Sequence, residues 1–98
     1  KRILHGVIDA LYQREDGTWA LVDYKTSYIP LSRMTPAEHA QRYHLQIGAY
    51  ASAVQRELGQ LPTAYVHYIQ YNQTVEIPTA IWQAEIAQLE QYIGDLLG

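Results

Sequence analysis

Two runs decide the fold: ILHGVIDALYQR (Ile3–Arg14) and TWALVDYKT (Thr18–Thr26), separated by Glu15-Asp16-Gly17. A three-residue loop ending in Gly predicts a tight hairpin, because Gly adopts the positive φ that such a loop needs. Pairing Arg14 with Thr18 makes opposed residue numbers sum to 32, so Asp9 faces Asp23. Side chains alternate along a strand, which puts Asp9, Asp23 and Lys25 on one face. Directly opposed residues have Cβ atoms roughly 4.5–5.5 Å apart, and two like charges at that distance repel unless a cation sits between them. Both faces of the two strands are largely apolar, which predicts a sheet covered on both sides. Carboxylates inside such a sheet are costly unless they are paired or bind metal.

The remainder alternates helix and strand. Ser27–Met34 reads as a loop containing Pro30. Thr35-Pro36-Ala37-Glu38 is a helix start, with Thr35 as cap, Pro36 in the first turn and Glu38 closing a capping box. One helix is predicted from there to about Leu58, stopped by Gly59. Its apolar stripe is Ala40, Tyr43, Ile47, Ala51, Val54 and Leu58; a second stripe of His39, Tyr43, Gln46 and Tyr50 borders it. Thr63–Gln70 alternates as a strand, and Thr74–Ile77 reads as its returning partner after a turn at Tyr71-Asn72-Gln73. Thr79 is the expected cap of a last helix, Ala80–Leu97, with Ile81, Trp82, Ile86, Leu89, Tyr92, Ile93 and Leu96 on one face.

Composition narrows the possibilities. The 98 residues suffice for one small domain, and 48% hydrophobic content supports a packed core. Lys1 stands where an initiator Met is expected and the apolar pattern begins at once, so 1–98 is expected to be a single truncated domain of a longer protein. No apolar run approaches the roughly 18 residues of a membrane helix, so no membrane partner is expected. The chain has no cysteine, which removes disulfides, thiolate metal sites and cysteine nucleophiles and is compatible with a reducing cytoplasm. Net charge is −3, but unevenly spread: residues 1–56 hold all seven Lys and Arg with five acids (+2), and residues 57–98 hold five acids and neither base (−5). Such a split lets one face meet phosphate while the other stays in solvent; uneven surface charge without function is the alternative.

Three short motifs follow in order: G-V-I-D (Gly6–Asp9), D-Y-K-T (Asp23–Thr26) and Q-I-G-A-Y (Gln46–Tyr50). On strand, strand and helix, this series resembles the PD-(D/E)XK nuclease superfamily, and most closely its RecB-like exonuclease branch. The resemblance covers about half the chain. It implies an α/β restriction-endonuclease-like core, a mixed β-sheet flanked by helices, without the N-terminal helix that usually precedes the first motif. That helix carries a His or Glu near the metal in the family. The implied activity is that of a metal-dependent DNA exonuclease domain in recombination or repair, with DNA as partner and a helicase in the same chain or complex. The alternative is a catalytically silent DNA-binding or scaffolding domain that keeps the fold.

The residues themselves suit that chemistry. Asp9 and Asp23 offer hard oxygen ligands fit for Mg²⁺ or Mn²⁺. Such a cation polarises a phosphodiester oxygen and activates a bound water. Lys25 is placed to orient that water or to offset charge developing on phosphorus. The resemblance adds the Tyr24 backbone carbonyl as a metal ligand, Gln46 as a supporting or DNA-contacting residue, and Tyr50 as a helix anchor or substrate-side residue. An iron–sulfur cluster, present in some relatives, is not expected without cysteines. Structural alternatives stand beside each assignment: exposed strand residues for the two Asp, a salt-bridge partner for Lys25, a satisfied buried amide for Gln46, and core packing for Tyr43 and Tyr50. His39 and His44 read as helix-surface or capping residues, and His67 as structural. Tyr65, Tyr68, Tyr71 and Trp82 read as core or interface packing, with base stacking as the alternative.

Overall fold

A computed structural model describes residues 10–98. The G-V-I-D stretch, with Asp9 and its pairing to Asp23, lies outside the described residues. Strand β1 (Ala10–Gln13) and strand β2 (Trp19–Lys25) form the expected antiparallel hairpin, and Ala10 pairs with Val22 and Leu11 with Leu21, as the loop length required. Arg14 N–H donates to the Thr18 carbonyl at 2.7 Å, and Gly17 takes φ +89°. Asp16 fastens the turn by accepting from the Thr18 hydroxyl and backbone N–H, which hold its carboxyl below the usual range.

After the loop come helix α1 (Pro36–Ala40), a tight turn at Gln41–Tyr43 and helix α2 (His44–Leu58). Thr35 and Glu38 make the reciprocal capping box, and Gly59 ends α2 in the left-handed conformation at φ +71°. The single helix expected here is thus two, joined by a 3₁₀ turn, although neither Pro nor Gly breaks the run. Strand β3 (Thr63–Tyr68) runs parallel to β2, the pairing that a helical crossover permits. It ends two residues earlier than expected because Ile69–Tyr71 wind into a 3₁₀ turn, closed by Asn72 at φ +49°. Strand β4 (Gln73–Ile77) returns antiparallel to β3, completing a mixed sheet of order β1-β2-β3-β4 among the described residues. Helix α3 (Thr79–Leu97) follows; Pro78 occupies its cap position with no side-chain bond, so Thr79 is already helical and does not cap.

Register assigns the two faces. Leu11, Leu21, Asp23, Lys25, Ala64, Val66, Tyr68, Val75 and Ile77 share one. The apolar members of that face pack with Ala40, Ile47, Tyr50, Ala51 and Val54 from the helices, and Ile29 and Trp82 complete the core. Ile29 is pinned from outside the sheet by Tyr71, whose hydroxyl accepts from its N–H at 2.9 Å. The other face carries Tyr12, Val22, Tyr24, Tyr65, His67 and Thr74 around a shallow depression of about 240 Å³. Arg14 lies across one end of it, donating to the Tyr65 hydroxyl at 2.6 Å. The expected cover on both faces is therefore met on one, among the described residues. The stripe on α3 is likewise half covered: Trp82 is buried, while Leu89, Tyr92, Ile93 and Leu96 are exposed. No helix among the described residues is long and apolar enough to cross a membrane.

Candidate active site

The site residues gather where β2 and β3 end, beside the α1–α2 turn. Ligand sites in open α/β sheets favour this position, at the carboxyl ends of parallel strands. Asp23 and Lys25 share the helix-facing side of β2, two residues apart, as alternation requires. Asp23 is 3% exposed, and its Oδ2 lies 3.1 Å from Lys25 Nζ. A buried carboxylate is tolerated there because the ammonium beside it offsets the lost hydration. Lys25 keeps about a fifth of its side chain in solvent (21%), so its charge is reachable from outside. Tyr24, between them, points to the opposite face, where its ring meets His67 edge-on.

Around Lys25 stands an aromatic and imidazole wall to which the motifs alone assign no role. Lys25 Nζ sits 4.4 Å from the centre of the Tyr43 ring. The Tyr43 hydroxyl is hydrogen-bonded to Ser27 Oγ at 2.9 Å. Tyr68 pairs with Lys25 across the parallel ladder, and its hydroxyl is hydrogen-bonded to His39 Nδ1 at 2.8 Å. His39 and His44, expected on the helix surface, are both buried. For His39 the reason is that α1 leans its last turn onto the sheet, where Tyr68 supplies the polar partner a buried imidazole needs. His44 faces Glu85 of α3 at 3.8 Å. Burial, with a smaller push from the Arg42 charge, holds His39 below its usual 6.5. Burial also pushes the Tyr68 phenol up to about 12, reinforced by Tyr43 and Asp23. Both groups are therefore neutral near pH 7.

Gln46 and Tyr50 form a second unit. Gln46 Nε2 donates to the Tyr50 hydroxyl at 2.8 Å, the reach of residues one turn apart. Tyr50 is buried in the core, and Gln46 is exposed, so it is not a buried amide. Of the aromatics considered for base stacking, Tyr68 and Trp82 are buried in the core and Tyr71 holds Ile29, so packing accounts for all three. His67 is fastened to Thr74 on the open face, at 2.7 Å. The i, i+4 spacing of His39 and Tyr43 is visible in the sequence. That Tyr43 meets Lys25, and His39 meets Tyr68, the ladder partner of Lys25, is supplied by the fold alone.

Metal fit turns on donor chemistry. Among the described residues no group of three or more His, Cys, Asp or Glu gathers to hold an ion. What is present is a buried carboxylate with a backbone carbonyl next in sequence, a hard oxygen set that suits Mg²⁺ or Mn²⁺ and no soft metal.

Comparison with known proteins agrees with this arrangement. A family model for the PD-(D/E)XK nuclease superfamily matches residues 2–97. Among curated proteins, an ATP-dependent helicase/nuclease subunit from Pelotomaculum thermopropionicum is 47% identical over 58 residues, covering 59% of this chain and 4% of that protein. The ATP-dependent helicase/nuclease subunits of the same name from Lysinibacillus sphaericus (38% over 80 residues) and Listeria monocytogenes (34% over 82 residues) match 76% and 79% of the chain. The chain spans 4–7% of the length of these three relatives. No solved structure matches it. A mixed α/β sheet, a buried Asp and a Lys two residues on at the end of its second strand, and a family match over nearly the whole length lead to one assignment: the chain belongs to the PD-(D/E)XK nuclease superfamily.

Proposed function

We propose that this chain is the nuclease domain of a DNA recombination or repair protein, hydrolysing phosphodiester bonds as a metal-dependent exonuclease. The observation that carries the reading is the buried Asp23–Lys25 pair at the end of β2, with Lys25 partly open to solvent. The relatives' names support a helicase in the same chain or complex.

Asp23, the Tyr24 carbonyl and Asp9 would hold Mg²⁺ or Mn²⁺, which supplies Lewis-acid activation of water and of a phosphate oxygen when bound. Lys25 is the cation of the chain at the attacked phosphate. Its charge acts where negative charge develops, so it serves the transition state more than the ground state. Tyr50 anchors α2 in the core, and Gln46, bonded to it and exposed, is positioned to meet the substrate side.

Asp23→Asn tests the reading in the intact protein. The wild type is expected to cleave duplex DNA with Mg²⁺ and to lose that activity with a chelator. Mg²⁺ should also raise its melting temperature, since the cation finds its site only in the folded chain. Asp23→Asn should abolish cleavage and most of the thermal shift. A wild type that binds DNA but never cleaves it, with any divalent cation, would establish the silent DNA-binding alternative instead.

A further inference from the structure

We propose that Tyr43 is a positioning residue for Lys25, holding the ammonium on its ring face in the orientation from which it serves the phosphate. The inference rests on the reading of Lys25 given above. Nζ lies 4.4 Å from the Tyr43 ring centre, well inside the roughly 6 Å over which a ring face attracts a cation. The ring is held from two directions. Its hydroxyl is tied to Ser27, two residues beyond Lys25 on the same strand end. His39 stands behind it at 5.9 Å and is itself fixed by Tyr68, the ladder partner of Lys25. The ring and the cation are thus referenced to the same short piece of β2 and β3.

The backbone at Tyr43 fits such a duty. Tyr43 closes the 3₁₀ turn between α1 and α2, at φ −104° and ψ −1°, where no Pro or Gly imposes the break. Tight turns inside helical runs often mark functional positions.

Tyr43 answers a problem that the Asp23–Lys25 pair creates. An ammonium 3.1 Å from a carboxylate oxygen competes with anything else that oxygen could bind. Once Asp23 is committed to a divalent cation, Lys25 needs a seat that does not depend on that oxygen. A ring face attracts the cation without supplying a lone-pair acceptor, so the N–H donors turned away from the ring remain for water and phosphate.

The test uses the intact protein with Tyr43→Phe, Tyr43→Leu, Ser27→Ala and Lys25→Ala, together with pentafluorophenylalanine at position 43. Fluorination keeps the ring's shape and removes the negative face, so it separates attraction from packing. Single-turnover cleavage of bound duplex, duplex affinity, and the NMR shift of the Lys25 ε-methylene are measured with and without Mg²⁺. Tyr43→Phe should retain the rate within about twofold, while Tyr43→Leu and the fluorinated ring should lose about three- to thirtyfold, the range a partly desolvated cation–π contact spans. Affinity should stay within about twofold, because it rests on backbone phosphate contacts elsewhere. The upfield ring-current shift of Lys25 should persist in Tyr43→Phe and in Ser27→Ala, which lose the same hydrogen bond and keep the ring, and vanish in Tyr43→Leu, with or without Mg²⁺. Wild-type rate with the fluorinated ring, or an equal loss in Tyr43→Phe, would overturn the proposal. Failure of the underlying reading looks different: Lys25→Ala would then cleave normally while the wild-type ring-current shift remained.

Discussion

His39 shows how a single buried side chain couples this corner to pH. Its imidazole is 3% exposed and bonded to Tyr68, and burial holds it below its usual 6.5. The sign follows from linkage. The unfolded chain takes up a proton near pH 6.5 and the native chain resists it, so stability is full above that pH and falls as pH drops below it. The loss continues until the native imidazole itself protonates. One proton of difference gives a slope of at most about 1.4 kcal/mol per pH unit. Urea denaturation between pH 7 and 5 should show a shallower fall for His39→Asn, which keeps a polar partner for Tyr68 but does not titrate. Equal slopes in the two proteins would mean that His39 takes up its proton as readily in the folded chain as in the unfolded one.

At the scale of elements, α2 meets α3 at Gly48. A Cβ there would lie 3.0 Å from Trp82 Cβ and 3.3 Å from Ile86 Cγ1. Trp82 Cβ is fixed to the α3 backbone and cannot swing aside, so Gly48→Ala must push the helices apart. Ala gains about 1 kcal/mol in helix propensity, and overpacking costs about 1–3 kcal/mol. The expected net is a loss of about 1 kcal/mol, read as a lower denaturation midpoint at unchanged slope. A stabilised Gly48→Ala would show that α3 gives way easily.

The elements also separate what was legible in the sequence from what was not. The hairpin register, the Thr35–Glu38 capping box and the Gly59 stop involve residues within a few positions of one another, and local chemistry determines them. The 3₁₀ break at Gln41–Tyr43 carries no breaker residue; its signal is tertiary, in the contacts of Tyr43 with Lys25 and Ser27. The burial of His39 was hidden for the same reason, since its partner Tyr68 stands 29 positions away. Asp23 and Lys25 were legible because strand alternation alone puts them together.

On the scale of the whole molecule, the described chain is a one-sided sandwich. Helices cover the face that holds Asp23 and Lys25, and the opposite face leaves Tyr12 and Tyr24 about half exposed, at 49% and 43%. The distal stripe of α3 is also open. The charge split follows the fold: β1, β2 and α1–α2 come from the basic half, while β3, β4 and α3 come from the acidic one. Asp23, Lys25, His39 and Tyr43 come from the basic half, and Tyr68 comes from the acidic one.

In the proposed reaction Lys25 accelerates phosphodiester hydrolysis rather than merely gripping DNA. Single-turnover cleavage and equilibrium binding of one duplex, by the intact protein and its Lys25→Ala variant, test it most directly. Removing one electrostatic contact at the developing charge should slow the rate on bound DNA by about 10²–10³. Binding should change little and keep its salt dependence, because many other phosphate contacts carry it. Binding that collapses while bound DNA is still cut at the wild-type rate would make Lys25 an anchor for DNA and not a participant in hydrolysis.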